Sequence, residues 1–359
     1  MRVAMYYRND DVRLEEMPVP EIASGEVLMR VEACGICGSD VMEWYRIRSA
    51  PRVLGHEIAG VVAEVGDGVR GWTPGDRVVA THHVPCNECR HCLDGHQSVC
   101  DMLRSTNFDP GGLSEYVRLP PENVDRGLFR LPDEMSFEEG TFVEPLGCVV
   151  RGQRFAGVRE GRSVLVVGSG ITGILHIRLA RAQAAGPIIA TDVHPFRLGF
   201  ARRSGADEVI DASGGAGGSA EDASGASASP APDIPGMVRE ANGGCLADVV
   251  IICTGVPSAV RRGLASVGRG GTVLFFAPTH PDERIGIDVW DLWRNEITLT
   301  TSYAAAERDL LSAIALIQSD QVRVADMVTH RLPLAEAQLG FGLTAAAGES
   351  MKIIVEPWK

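Results

Sequence analysis

The sequence predicts an α/β protein: a doubly wound parallel sheet joined to a second, β-rich domain. Three observations carry this. From residue 163 onward, short apolar runs alternate with helix-period stretches, the rhythm of a parallel sheet with helical crossovers. A glycine fingerprint, Gly168-Ser169-Gly170-Ile171-Thr172-Gly173, stands where the first of those runs meets the first helix. The chain has 359 residues, more than one core usually supports.

The first ~150 residues read as β-rich. Residues 27–32 alternate apolar and polar side chains through most of their length, and 57–65 and 76–80 are β-branched runs bounded by glycines. Residues 113–119 form another short strand, so this part is expected to be an irregular barrel-like body.

The pattern changes near Val149. Residues 163–167 are continuously apolar, as expected of a strand covered on both faces. A helix over 174–185, a strand over 188–192, a helix over 195–204 closed by Gly205, and strands at 209–210, 249–252, 272–276 and 297–300 complete the alternation. A helix over 309–318, a helical stretch from Leu334 and a strand over 351–355 do not extend it. The expected domains are therefore 1–149 with 303–359, and 150–302. Residues 212–235 are almost all Gly, Ala, Ser, Pro and Asp; they cannot bury enough apolar surface to offset ordering and read as a flexible excursion.

Net charge is −13, which argues against a nucleic-acid partner. The first residues lack an apolar signal core and no run is long enough to span a bilayer, so a cytoplasmic protein is expected. Nine cysteines, most at ligand spacing, favour metal thiolates over disulfides in a reducing compartment.

Cys86, Cys89, Cys92 and Cys100 form a C-x2-C-x2-C-x7-C run in one loop, with Pro85, Asn87 and Gly95 as turn residues. Four thiolates at that spacing close around one tetrahedral zinc with no position left open, the character of a structural site.

The glycine fingerprint follows a buried strand and opens a helix, the context of a dinucleotide site. Gly168 permits the tight turn, Gly170 lets a pyrophosphate approach the backbone, and Gly173 lets helix pack on strand; Ile171 and Thr172 lie between them at the helix start. Asp192 ends the next strand at about the offset of a ribose-binding carboxylate. That role repels a 2′-phosphate and favours NAD; the competing reading is a helix N-cap before Pro195. Arg197 either covers the cofactor or occupies a solvated helix face. Cys253-Thr254-Gly255, at the carboxyl end of the fourth strand, is either cofactor-lining or an ordinary turn.

Cys37, His56, Glu57 and Glu144 offer an open metal site: three protein ligands with a position left for substrate. Their spacing alone is unspecific. Taken singly, His56 fits a satisfied core histidine, Cys34 a small buried hydrophobe, and Glu57 and Glu144 solvated carboxylates.

Taken together, Cys37-Gly38-Ser39-Asp40, Gly55-His56-Glu57, the four-cysteine loop, Glu144-Pro145-Leu146 and the glycine fingerprint resemble the zinc-dependent medium-chain dehydrogenase/reductases. The nearest resemblance is to their polyol branch, the sorbitol or iditol and threonine 3-dehydrogenases, over nearly the whole chain. It implies a GroES-like catalytic domain split around a Rossmann domain. It implies a catalytic zinc at Cys37, His56 and Glu57, with Glu144 binding the metal or its water, and a structural zinc at Cys86, Cys89, Cys92 and Cys100. Ser39 matches the hydroxyl that relays the substrate proton, and Asp192 with Arg197 the pair that brackets the adenosine ribose of NAD. Relatives are often dimers or tetramers, and residues 272–276 are taken as an edge strand able to meet a second copy. One position departs: many relatives carry a histidine where this chain has Met42, which cannot carry a proton.

The expected activity is hydride transfer between NAD and the carbinol carbon of a secondary alcohol of polyol, sugar or cyclitol type. A specialised natural-product or β-hydroxy amino acid substrate is the alternative within the same chemistry. A non-catalytic sensor of zinc and dinucleotide is the alternative of another class. Trp44 and Tyr45 line the pocket or pack the core; Arg46 and Arg48 meet an acidic group or lie solvated.

Overall fold

The computed structural model describes residues 1–213 and 232–359. The chain divides into two compact units, Met1–Val150 with Ala304–Lys359, and Arg151–Tyr303.

The first unit is built on the strand Val27–Gly35, whose apolar positions are buried on both faces at its ends. Glu57–Val65 runs antiparallel beside it, and Tyr116–Leu119 and Lys352–Glu356 also pair with it. The sheet order is Val328–Pro333, Lys352–Glu356, Val27–Gly35, Glu57–Val65, Arg77–Ala80, Leu128–Arg130. Ile354 lies opposite Gly35 and Val355 opposite Cys34, so the end of the chain is laid beside the strand that leads to Cys37. A three-stranded sheet, Asp11–Glu16, Arg2–Arg8, Arg52–Val53, closes the other side. Val27, Met29, Val31, Tyr6, Leu113, Val117 and Phe341 are fully buried in the common core. Each such side chain contributes roughly 1.5–3 kcal/mol.

A 14-residue helix, Val143–Ala156, crosses the point where the sequence pattern changes. Sequence reading did not anticipate it. The preceding turn, Phe137–Gly140, is closed by a capping box between Ser136 and Glu139. Leu146 and Val149 are buried at helical spacing, and Pro145 falls in the first turn, where it costs no hydrogen bond.

The second unit is a six-stranded, all-parallel sheet in the order Glu208–Asp211, Ile188–Asp192, Val164–Val167, Ala247–Ile252, Val267–Phe275, Thr298–Thr301. Val164 stands opposite both Ile188 and Val249, and all four residues of its strand are buried. The order reverses direction at Val164–Val167, the arrangement that places a ligand at the carboxyl ends of the strands.

Three expectations change. The strand containing 272–276 is internal, paired with Ala247–Ile252 and Thr298–Thr301; the outer strand on that side is Thr298–Thr301, and Glu208–Asp211 is the opposite edge. The first helix of this unit is Ile171–Ala182, one turn earlier than periodicity places it, because Gly170 is its N-cap and the fingerprint itself forms the first turn. It stops before Gly186 because Ala184 takes the left-handed conformation, φ 55°. The excursion read over 212–235 lies for residues 214–231 outside the described residues; its far end is ordered, since Ile234–Ala241 is a helix capped by Asp233. Among the described residues, no helix is long and apolar enough to cross a membrane.

Candidate active site and dinucleotide site

The four-cysteine loop is folded by local hydrogen bonds. Asn87 and Gly95 take left-handed backbone conformations, φ 62° and 86°, and turn the chain around the sulfurs. The backbone N–H of Cys86 donates to Cys100 Sγ at 3.4 Å, and that of Cys89 to Cys86 Sγ at 3.3 Å. The sulfurs stand 3.5 Å (Cys89–Cys92), 3.6 Å (Cys86–Cys100) and 3.9 Å (Cys86–Cys92) apart. A tetrahedron with Zn–S bonds of about 2.3 Å has edges of about 3.8 Å, so these residues fit the ion. Burial opposes ionisation of Cys100, but backbone donors from Cys86 and Leu103 outweigh it and lower its pKa; burial and the Cys89 thiol raise that of Cys92.

The open cluster is assembled from distant segments. Cys37 follows the strand Val27–Gly35; His56 immediately precedes, and Glu57 begins, the strand Glu57–Val65 that pairs with it. One ligand atom each from Cys37, His56 and Glu57 lies within 4.8 Å of the others. A thiolate, an imidazole and a carboxylate fit an ion that keeps a position for substrate. Glu144 is outside that group. Its carboxylate lines a small cavity with Ile58, Val79, Thr81, Phe129 and Leu310, and accepts a hydrogen bond from Cys148 Sγ at 3.5 Å, one helical turn on. Burial raises the pKa of both groups.

Asp40 organises the cluster from behind. It is fully buried, accepts from the Cys37 N–H at 3.1 Å, and lies 3.4 Å from His56 Nδ1. With Nδ1 engaged, Nε2 is the nitrogen left to serve as ligand. Burial disfavours the charged form of both partners, yet the pair overcomes it: the Asp40 pKa is lowered and that of His56 raised, the latter also by Cys37.

Lys352 was not identified from sequence. Its ammonium is fully buried and paired with the Glu57 carboxylate, 295 positions away in the chain. A Cβ at Gly35 would collide with both groups, which explains the glycine there. The available signal was a lysine opening the apolar strand Lys352–Glu356. Arg46 was read as solvated or meeting an acid; the structure places its guanidinium on Ser39 and Asp40, with 15% of the side chain exposed.

In the second unit, Gly168 has φ 92° and packs on Cys253 and Thr254, while a Cβ at Gly173 would strike the Gly168 carbonyl. Gly170 meets only Arg197 Nη1 at 3.8 Å, leaving the backbone approachable. Asp192 accepts from the N–H groups of Ser169 (2.7 Å), Val193 (2.8 Å) and His194 (2.9 Å). It therefore braces the glycine turn, and the N-cap of the helix Pro195–Arg203 is His194, which removes the capping alternative for Asp192. Arg197 Nε is buried with no hydrogen-bond partner among the described residues, an orphaned donor beside the glycine turn that fits a bound dinucleotide. Gly255 abuts the Pro278 carbonyl and Cys253 N–H donates to Val167 O at 2.8 Å, so 253–255 belong to the same sheet edge. Ile171 and Thr172 open the helix Ile171–Ala182 over this turn.

Comparison with known proteins agrees with this geometry. Residues 23–133 match the alcohol dehydrogenase GroES-like domain, and residues 172–319 the zinc-binding dehydrogenase domain. The chain is 32% identical to a probable D-xylulose reductase A of Aspergillus clavatus over 96% of its own length and 93% of the relative's. It is 30% identical to sorbitol dehydrogenase of Gallus gallus over 98% and 94%. Alcohol dehydrogenase TADH from Thermus sp. ATN1 superposes with a TM-score of 0.84 at 26% identity, covering 99% of both chains. The chain belongs to the zinc-dependent medium-chain dehydrogenases, in their polyol branch, and is an oxidoreductase of CH–OH groups.

Proposed function

We propose that this enzyme oxidises a secondary alcohol of polyol, sugar or cyclitol type with NAD, using Cys37, His56 and Glu57 as the ligands of a catalytic zinc. The observation that carries this reading is the convergence of those three groups from the ends of two paired strands, with Ser39 two residues after Cys37. When bound, zinc supplies Lewis acidity to the substrate oxygen and NAD supplies the hydride acceptor.

The chain's own residues do the rest. Asp40 holds His56 by Nδ1. Lys352 balances the Glu57 charge in a fully buried setting. Ser39 Oγ takes the proton that leaves the carbinol. Glu144, buried in its cavity, serves as a further ligand or as the acceptor that orients a water. Gly168, Gly170, Gly173 and the N–H groups of Ile171 and Thr172 receive the pyrophosphate, and Cys253, Thr254 and Gly255 border it. Asp192 hydrogen-bonds the ribose hydroxyls and repels a 2′-phosphate, and Arg197 covers the adenosine side. Cys86, Cys89, Cys92 and Cys100 hold the second, structural zinc. The chain is read as a cytoplasmic homodimer or homotetramer; Thr298–Thr301, an outer strand of the sheet, offers an edge to a second copy.

Metal analysis tests this first. About two zinc ions per chain support a dehydrogenase with a closed and an open site, and one supports a sensor. A panel of polyols, secondary alcohols and β-hydroxy amino acids, followed by the absorbance of reduced nicotinamide, then identifies the substrate. No turnover of any panel member by the two-zinc protein would overturn the substrate class.

A further inference from the structure

Ser39 Oγ has one hydrogen-bond partner among the described residues, and that partner is a cation. Arg46 Nη2 donates to Ser39 Oγ at 2.9 Å and to Asp40 Oδ1 at 3.2 Å, while Arg46 Nε donates to the Ser39 carbonyl at 2.9 Å. Arg46 closes the short helix Glu43–Arg46, and its guanidinium also lies over the Tyr45 ring, 4.9 Å from the centroid. Three bonds and a ring contact fix a side chain that is only 15% exposed.

The chemistry of the two groups decides the direction of the bond. A guanidinium has five donors and no acceptor, and it does not deprotonate in proteins. Ser39 Oγ is therefore the acceptor. One of its lone pairs is occupied, and its own hydrogen points away from Arg46. Met42, one turn from Ser39, offers no group that exchanges protons. Arg46 also contacts Asp40, which bonds the Cys37 N–H and lies against His56 Nδ1. A single guanidinium thus ties the Ser39 hydroxyl to the carboxylate that holds the zinc-ligand segment.

Resting on the reading of Ser39 as the proton-relay hydroxyl, we propose that Arg46 is a positioning residue for the reaction. It anchors Ser39 Oγ through one lone pair and leaves the O–H and the second lone pair directed at the reacting oxygen. It passes no proton itself, so the proton that leaves Ser39 departs by a direction other than Arg46.

A double-mutant cycle tests this. Ser39→Ala, Arg46→Met and the double variant are compared on the best substrate of the panel above, with zinc content, NAD binding and thermal midpoint as controls. Arg46→Met should lower kcat by roughly tenfold to a hundredfold with little change in KM, the scale of a lost orientation. Arg46→Lys, which keeps the charge and a compact donor group but not the planar fork, should recover part of that loss. In the Ser39→Ala background, Arg46→Met should cost clearly less, because the hydroxyl it positions is gone and only its bonds to Asp40 and the residue 39 carbonyl remain to be lost. Equal losses in both backgrounds would show a structural role and overturn the proposal, as would wild-type kcat in Arg46→Met. Full activity of Ser39→Ala would instead overturn the relay reading. A substrate-free measurement covers a variant that misfolds: in ¹⁵N-labelled protein the Arg46 guanidinium resonances should shift in Ser39→Ala, and unchanged resonances would overturn the contact.

Discussion

The two cysteine-bearing clusters of the first unit are built in opposite ways. The four-cysteine loop draws all its candidate ligands from residues 86–100, and its turns and sulfur-directed N–H groups lie within the same segment. The open cluster draws Cys37, His56 and Glu57 from the neighbouring ends of two paired strands, its outer carboxylate from Asp40, and its buried counter-charge from Lys352 near the chain end. A closed site needs only a loop of the right chemistry. A site that keeps one position for substrate must be held from outside, so its ligands cannot wrap the ion by themselves.

This contrast predicts different failures. Cys37→Ser should lower kcat/KM on the order of a thousandfold, several kcal/mol of lost charge stabilisation, while NAD binding and the thermal midpoint stay near wild type. If that variant kept most of its activity, the open cluster would not be the reaction centre. Lys352→Met leaves the Glu57 carboxylate buried without its partner and should destabilise the first unit by about 3–5 kcal/mol in denaturant titration. Because the Lys352 ammonium pairs with Glu57 and contacts none of the four cysteines, binding of zinc at their loop should be unaffected.

Cys92→Ser should do the reverse of Cys37→Ser. Loss of the closed site is expected to cost at least about 3 kcal/mol, roughly 6–12 °C in thermal midpoint, with kcat at low temperature largely retained. Equal effects of the two cysteine variants on stability and turnover would erase the distinction between the clusters. Asp192→Ala lies outside both and should leave zinc content unchanged while narrowing the NAD over NADP preference by about tenfold, or about 1.4 kcal/mol. Unchanged selectivity would remove Asp192 from the ribose site.

The smallest effect supplies an acid baseline, since acid also strips zinc. His176 is fully buried in the second unit against Phe276, ring centroids 4.5 Å apart, and burial lowers its pKa to about 3. The unfolded chain takes up a proton near the ordinary imidazole pKa of about 6.5, and the folded protein does not. Between those values the unfolded state binds more protons, so stability falls as pH falls, by about 1.4 kcal/mol at pH 5.5. His176→Gln should flatten the stability curve of the second unit between pH 6.5 and 4; an unaltered slope would assign the acid loss to other groups.

Much was legible in the sequence, for identifiable reasons. The four-cysteine loop was readable because thiolate spacing within one segment is itself the constraint. The parallel strands were readable because strands covered on both faces become uninterrupted apolar runs, as at Val164–Val167. The start of the helix Ile171–Ala182 was misplaced by one turn because its first turn is made of the glycine fingerprint, which carries no apolar periodicity. The helix Val143–Ala156 escaped notice because the Glu144-Pro145 pair in its first turn reads as a breaker unless the cap before it is recognised.

By itself, then, the sequence determined which chemistries are present: thiolates at metal spacing, a glycine-rich turn between strand and helix, and an acidic residue one strand later. Tertiary structure decided which of those groups act together. It selected His194 over Asp192 as helix cap, moved the outer strand to Thr298–Thr301, buried Lys352 on Glu57, and turned Arg46 from solvent onto Ser39. The physical reason is range. Spacing and periodicity report contacts within a few residues, whereas a buried ion pair or the hydrogen bond from Arg46 to the Ser39 hydroxyl depends on strand register and on burial that only the packed chain creates.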